Sequence, residues 1–397
     1  MKNRAIKLIA AILGWQVRRL YKKGNFIVIA IAGSVGKTST KFAVASILSQ
    51  KYRVRYQEGN YNHLVSVPLV FFGHLMPNPF NPIAWLAIFF KNEKQLLNKY
   101  PWDVVVVEVG TDGPGQIKDL NSYLQADIGI LTAIAPEHME FFDSLDAVAK
   151  EETSLAEFSR ELLVNKELCD SKYLKNIKIP IEFYSSEDAA GYVRSQLPLP
   201  QLFSVAVAVK IARRLGVTEK QIKHGVPNIK PVNGRARRLE GVNGSTIIDD
   251  TYNASPRSMV MALDILYAED APQKIAILGS MNELGLRSPD AHREIGQLCD
   301  PKQIDLVVTI GADANRFLAQ EAKARGCEVV SFTNPVEAGQ FVKTKLKKGA
   351  LVLAKGSQNG VFAEEAVKVL LRSKNDQTKL VRQGKKWLKT KRKQSAT

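Results

Sequence analysis

The hydrophobic positions of this chain follow two different periods. Ile6, Ile9, Leu13, Val17 and Leu20 recur every three or four residues, which draws an apolar stripe along a helix within residues 1–24. From Asn25 onward, short apolar runs alternate with helical stretches. Residues 26–32 read as a buried strand, followed by Gly33-Ser-Val-Gly-Lys-Thr-Ser-Thr40 and a helical stretch to Leu48. Residues 103–110 and 127–134 are further nearly unbroken apolar runs. Five more follow at 246–249, 274–278, 306–310, 328–332 and 350–354, again separated by helical stretches. Alternation of this kind predicts an α/β chain with mostly parallel sheets.

Length and composition fit that picture. A chain of 397 residues with 45% hydrophobic content can bury the cores of two or three domains. Cys169, Cys299 and Cys327 lie far apart with no Cys-x-x-Cys pair, so neither a disulfide framework nor a structural zinc site is expected. The longest apolar stretches, 8–17 and 83–90, are about half of the roughly 20 residues a membrane-spanning helix needs. A cytoplasmic protein is expected.

The net charge of +17 sits at the two ends. Residues 1–24 carry seven cations and no acid, and residues 372–397 carry ten cations against Asp376, which leaves the body at +1. Basic ends on a neutral body argue against a specific nucleic-acid groove. With Lys2, Arg4, Lys7, Arg18, Arg19, Lys22 and Lys23 flanking the apolar stripe, residues 1–24 are expected to form a basic amphipathic helix in peripheral contact with an acidic membrane. A helix docked on the core would show the same stripe, and solvated tails are the plain alternative at both ends.

The segment after the first strand carries chemistry. Gly33 and Gly36 let the backbone turn its amides on phosphate oxygens, Lys37 brings a cation to the β and γ phosphates, and the Thr38 hydroxyl suits magnesium. Ser34 and Ser39 lie in the same nucleotide-binding segment. The strand at 103–110 holds Glu108 near its end, where an acid is costly unless paired or metal-bound. His138 follows the strand at 127–134. Both are candidate metal ligands, because open α/β sheets gather ligands at the carboxyl ends of strands. Alanine at Lys37, Glu108 or His138 is expected to abolish turnover and leave the fold intact.

These residues, taken with Gly113-Pro-Gly-Gln-Ile117, Ala135-Pro-Glu-His-Met-Glu-Phe141, Asn233-Gly-Arg235, Ile248-Asp-Asp-Thr-Tyr-Asn-Ala-Ser-Pro256, Leu278-Gly-Ser-Met-Asn-Glu-Leu-Gly285 and Lys355-Gly-Ser357, form an ordered set. It resembles the Mur ligase family, and within it the enzymes that add D-alanyl-D-alanine to a UDP-linked muramoyl tripeptide. The resemblance implies a central P-loop ATPase domain over 25–236 and a Rossmann-like C-terminal domain over 237–372 closing over ATP, with a basic tail at 373–397. It implies ATP and Mg2+ as cofactors, and a small-molecule or lipid-linked cell-wall precursor with a dipeptide or amino acid as substrates; a monomer is expected. By the same resemblance Arg235 reaches the γ-phosphate, Asp250 and Asn253 seat the nucleotide, and Glu283, Lys355 and Ser357 face the amine. The implied reaction passes through an acyl phosphate to an amide.

The pattern departs from the family at four places. Residues 1–24 stand where relatives carry the domain that grips the UDP-sugar. The adenine-contacting segment reads Leu199-Pro-Gln-Leu-Phe-Ser-Val205, with Gln201 where a histidine is usual, and Lys355-Gly-Ser is followed by Gln358 in place of arginine. Glu152, fourteen residues after His138, occupies the position of a lysine that carbon dioxide converts to a metal-binding carbamate; it is expected to supply that carboxylate directly, unless it is simply one solvated acid beside Lys150. A catalytically silent nucleotide-binding scaffold and a folyl-polyglutamate or poly-glutamate synthase remain as alternatives.

Overall fold

Apolar runs without polar alternation become strands covered on both faces, the usual fate of parallel strands. The computed structural model describes residues 2–59, 61–193 and 199–394, without the side chains of 2–4, 199, 200, 393 and 394. The chain divides into two units, one of residues 1–135 with 141–230 and the other of 136–140 with 231–397. The short segment Pro136–Glu140, which carries His138, and residues 231–236 both group with the second unit.

The first unit is built on β1 (Ile27–Ala32), β2 (Val54–Arg55), β3 (Val104–Glu108), β4 (Ile128–Leu131), β5 (Leu162–Asn165) and β6 (Ile181–Tyr184). All pairings are parallel, in the order β2-β3-β1-β4-β5-β6. β1 is thus flanked by β3 and β4, with Ile31 in register with Glu108 and Ala32 with Leu131. The loops leaving these three strands gather at one edge, where the strand order reverses.

The second unit holds β7 (Arg237–Glu240), β8 (Thr246–Asp250), β9 (Lys274–Gly279), β10 (Leu306–Ile310), β11 (Val329–Phe332) and β12 (Leu351–Lys355), in the order β11-β10-β9-β12-β8-β7. Only the edge strand β7 runs antiparallel. Apolar clusters line both faces, one with Ile248, Leu278 and Leu353, the other with Ile247, Ile277 and Val352. The alternation of neighbours along β8, β9 and β12 is the period-two signature of a strand.

Both basic ends differ from expectation. Helix α1 (Lys2–Tyr21) forms where the stripe predicts it, but Leu13, Val17 and Leu20 of that stripe are buried in the first unit's core, against residues such as Trp85, Ile88 and Tyr123. The stripe is therefore a packing surface and not a lipid-facing one. The side chains of Lys2 and Arg4 lie outside the described residues. The C-terminal segment is likewise docked: Arg382 and Lys391 are buried in ion pairs with Glu364, at 2.7 Å each, and Trp387 meets the Phe362 ring edge-on. Residues 395–397 of the basic tail lie outside the described residues. Among the described residues no helix is long and apolar enough to cross a membrane, and all three cysteines are free thiols.

Candidate active site

In the first unit the site grows from the turn between β1 and α2 (Lys37–Leu48). Gly33 has φ of 124°, and a Cβ there would stand 2.3 Å from the Thr132 hydroxyl and 2.7 Å from the Ala133 amide, so only glycine fits. Gly36, with φ of 92°, caps α2 in the left-handed region, and a Cβ on it would meet nothing nearer than Thr132 Cβ at 3.9 Å. The helix begins with no acidic residue in its first turn and no side-chain cap. Its first amides thus lack intrahelical partners and face an open turn, the arrangement that receives a phosphate.

Each loop side chain has a definite place. Ser34 Oγ donates to the Ala135 carbonyl and accepts from the Ala135 amide, both at 3.0 Å, so it locks the loop to the segment after β4. Lys37 Nζ donates to the Gly33 carbonyl, folded over its own loop. Ser39 lies half-buried in the first turn of α2. Thr38 Oγ1 is 3.1 Å from both oxygens of Glu108. The structure therefore joins two of the first-unit metal candidates, Thr38 and Glu108. A residue that sequence reasoning missed completes this group: Lys41, one turn after Lys37, donates from Nζ to Glu108 at 3.0 Å, with side-chain exposures of 2% and 4%.

Two of the three acids of the helix Leu145–Thr153, Glu151 and Glu152, are buried and not solvated. Glu152 accepts the Gly33 amide at 2.6 Å, which puts its carboxylate directly behind the phosphate loop. Glu151 accepts from the amides of Gly115 and Ile117, at 2.6 and 2.7 Å, and so organises the Gly113–Ile117 turn. Lys150 points outward and is exposed. Gln201 is half-buried in the first turn of the helix Leu199–Arg214; in the next turn Ser204 meets Thr40 of α2 at 3.3 Å. The side chains of Leu199 and Pro200 lie outside the described residues.

In the second unit the neighbouring strands β8 and β12 end on Asp250 and Lys355, which are register partners. Lys355 Nζ donates to Asp250 at 2.6 Å and to the Asn253 carbonyl at 3.0 Å. Lys355 is fully buried, and desolvation pushes its pKa below the usual lysine range. A residue assigned to the nucleotide and one assigned to the amine are thus a single ion pair. Asp250 also accepts the Ala236 amide, while Arg235 lies 4.2 Å over the Tyr252 ring. Ser357 is buried, its hydroxyl accepting the Asn282 amide at 3.0 Å and donating to the Ala254 carbonyl at 3.3 Å.

His138 is joined to Glu283. Its Nδ1 lies 2.6 Å from the Glu283 carboxylate, and this hydrogen bond holds the carboxyl below the usual glutamate range. The Glu140 amide donates to the Glu283 carbonyl at 3.0 Å. Both members of the pair have positive φ, 54° and 63°, a conformation that non-glycine residues keep only where the surroundings enforce it. Two more residues support this unit: Asp249, which stands in a motif of the sequence without a role of its own assigned to it, and Arg382, which sequence reasoning missed. Asp249, buried behind Asp250, accepts from the Thr251 hydroxyl and the Gly234 amide, and burial raises its pKa to about 6. Arg382 donates to the carbonyls of Thr251 and Tyr252 while paired with Glu364. Nothing local in the sequence signals Arg382, because its partners lie far away in the chain.

Among the described residues no group of three His, Cys, Asp or Glu side chains is placed to hold a metal. Thr38 and Glu108 still fit magnesium, which keeps several waters and is held by one or two protein oxygens together with substrate phosphates.

Two family models match the chain: the Mur ligase middle domain over residues 31–201 and the Mur ligase glutamate ligase domain over 234–358. The UDP-N-acetylmuramoyl-tripeptide--D-alanyl-D-alanine ligase of Bacillus subtilis is 26% identical over 373 residues, covering 87% of this chain and 76% of that protein. The enzyme of the same name from Synechocystis is 28% identical over 353 residues, with 84% and 72% covered. Among solved structures, the MurF ligase of Thermotoga maritima in complex with ADP shares the fold with a TM-score of 0.73 at 22% identity, covering 91% of this chain and 83% of that one. The two models follow one another along the loops that hold Lys37 and Glu108 and then Arg235 and Lys355, and on that ordered match the chain belongs to the Mur ligase family.

Proposed function

We propose that this chain is an ATP-dependent, ADP-forming amide-bond ligase that joins D-alanyl-D-alanine or a similar amine to a carboxylate on a cell-wall peptide precursor. The observation that carries the reading is the grouping of Lys37, Thr38, Glu108 and Lys41 around an open helix N-terminus. The names of the relatives supply the acid and the amine, and the Thermotoga relative holds ADP.

In this reading Lys37 and the first amides of α2 bind the β and γ phosphates, and Thr38 and Glu108 would hold magnesium. Bound there, the metal offsets charge on the phosphoryl oxygens. An oxygen of the substrate carboxylate attacks the γ-phosphorus and ADP leaves. The amine nitrogen then attacks the acyl carbon, phosphate departs with the oxygen it took from the carboxylate, and the amine proton goes to solvent. No side chain acts as a nucleophile, so the protein's part is positional and electrostatic. In the second unit Arg235, Asp250 and Asn253 serve the nucleotide, Lys355, Ser357 and Glu283 serve the amine side, and His138, held by Glu283, would be a further metal ligand.

Glu152 acts in this reading as a permanent carboxylate where relatives use a carbamate, supported by its burial behind Gly33. Turnover is then independent of bicarbonate, and Lys150→Ala is silent. Loss of activity on bicarbonate depletion would move the role to a carbamylated lysine. The enzyme is taken to work in the cytoplasm as a monomer.

A screen crossing muramoyl-peptide and folate acids with D-alanyl-D-alanine and glutamate, read as ADP release, tests the function. ADP release that needs both a muramoyl acid and D-alanyl-D-alanine supports it. Release with folate and glutamate instead identifies a folyl-polyglutamate ligase, and nucleotide binding with no amine-dependent release identifies a silent scaffold.

A further inference from the structure

The inward turn of the α1 stripe leaves the opposite face of that helix to be explained. Leu8, Ala11, Trp15, Arg18 and Lys22 are all exposed and follow one another at spacings of three and four, so they form one row along α1 and its end. After helix α3 (Ser66–Phe72), helix α4 (Pro82–Leu96) carries a second row of the same kind: Ile83, Leu86, Phe90, Lys94 and Leu97. α4 already buries Trp85, Ile88, Asn92 and Leu96 on its other side. Its exposed row is not needed for the core, yet Ile83 is 76% exposed and Phe90 73%.

The two rows are held side by side. Leu13 shares an apolar cluster with Trp85 and Ile88, Gln16 donates to the Phe89 carbonyl and to Glu93, Arg19 pairs with Glu93 at 2.6 Å, and Lys23 donates to the Leu96 carbonyl. These contacts advance together along both helices, so α1 and α4 run in the same direction. The apolar starts of the rows therefore coincide, and Arg18 and Lys22 lie near the level of Lys94, beyond which the α4 row closes on the exposed Leu97. Arg19 also lies 4.4 Å over the Trp15 ring, which ties that indole to the α4 side of α1. The loop before α4 adds Leu75 and Phe80, both strongly exposed.

Charge selects the occupant. Residues 1–24 and 73–99 together contain ten Lys or Arg and one acid, Glu93, which is already paired with Arg19. Lys7, Arg18, Lys22, Lys91, Lys94 and Lys99 are all exposed. An apolar face with a cationic border and an interfacial tryptophan matches the chemistry of an anionic bilayer surface, with aliphatic groups entering the acyl boundary and lysines at the headgroups. An apolar patch of this kind is otherwise a liability on a soluble protein.

We propose that the exposed rows of α1 and α4 form a docking face for an anionic lipid bilayer, holding the first unit at the membrane without spanning it. The proposal is independent of the ligase reading and concerns residues away from the phosphate loop.

The full chain is sedimented with vesicles of phosphatidylglycerol and phosphatidylcholine, and separately with phosphatidylcholine alone. Binding to the anionic vesicles is expected to be at least about tenfold stronger and to weaken with added salt. Leu86→Ser with Phe90→Ser, and separately Lys91→Glu with Lys94→Glu, should each lower it about tenfold or more while leaving the thermal midpoint and ADP release on soluble substrates unchanged. Equal binding to both vesicle types, or wild-type binding by both variants, overturns the proposal. So does a dimer in solution that Leu86→Ser with Phe90→Ser dissolves while wild-type protein ignores the vesicles, since the face would then belong to a second copy. Association only with vesicles that carry extracted membrane proteins would give the face to a protein partner and overturn it equally.

Discussion

Each unit ends a central strand in a buried lysine–carboxylate pair, and the two pairs are built differently. In the first unit the strand ends on the acid, Glu108, and the lysine comes as Lys41 from α2, the helix that follows the neighbouring strand β1, with both partners almost wholly buried. In the second unit the strand ends on the lysine, Lys355, which is 1% exposed, while Asp250 keeps 14% exposure at the end of the neighbouring strand. Glu108 is also bound by the Thr38 hydroxyl, so Lys41 is the counter-charge to a carboxylate that has a second partner. Lys355 is the desolvated partner of its pair, fixed by Asp250 and the Asn253 carbonyl. The same pairing thus buries acid and cation alike in one unit and leaves the acid partly exposed in the other.

The largest effect should come from breaking the first pair. Glu108→Ala strands the buried Lys41 charge, and the expected cost is about 3–5 kcal/mol together with loss of ADP release. This revises the expectation that such a change spares the fold. Combining it with Lys41→Met should recover most of the stability in a denaturant titration and none of the turnover. If the single variant is as stable as wild type, the two residues are not an obligate pair.

The second unit adds a pH dependence of its own. Asp249 has its pKa raised to about 6 by burial, so the folded state holds that proton more tightly than the unfolded chain. Its stabilising contribution is complete below the unfolded carboxyl value near 3.8 and is lost as pH rises through about 6. Stability should fall across that window by about 1.4 kcal/mol per pH unit from this group alone. Asp249→Asn should flatten the slope, as measured by urea titrations at several pH values.

Lys355→Met should cost less than Lys41→Met, about 1–3 kcal/mol, because Asp250 keeps the Ala236 amide and access to water. Equal losses in the two variants would erase the asymmetry drawn between the pairs. Smallest of all in stability, Glu152→Gln retains an oxygen to accept the Gly33 amide but removes a charge, so the fold should hold within about 1 kcal/mol. The magnesium concentration needed for half-maximal ADP release should rise several-fold.

The strands were legible because runs such as 306–310 are uninterrupted, and the phosphate loop because two glycines and a Lys-Thr pair follow a strand directly. Lys41 was not, since a lysine one turn into a helix reads as a solvated residue until the strand beside it is known. The stripe on α1 gave its helix correctly but not its facing, because a membrane and a protein core ask for the same periodicity. Glu152 was read for its charge, whereas its burial and its bond to Gly33 depend on how the helix Leu145–Thr153 lies against the sheet. Arg382 and Glu364, eighteen residues apart and buried together, belong to the contacts that no local pattern reports.

The central claim is that a substrate carboxylate, not water, receives the phosphoryl group. Supplying the acid with 18O in both carboxylate oxygens, together with ATP and the amine, and reading released phosphate by mass spectrometry tests it directly. The account predicts one 18O atom in each phosphate, carried over when the amine displaces it from the acyl carbon. Unlabelled phosphate released alongside ADP would contradict it and leave the chain an ATPase with a ligase's fold.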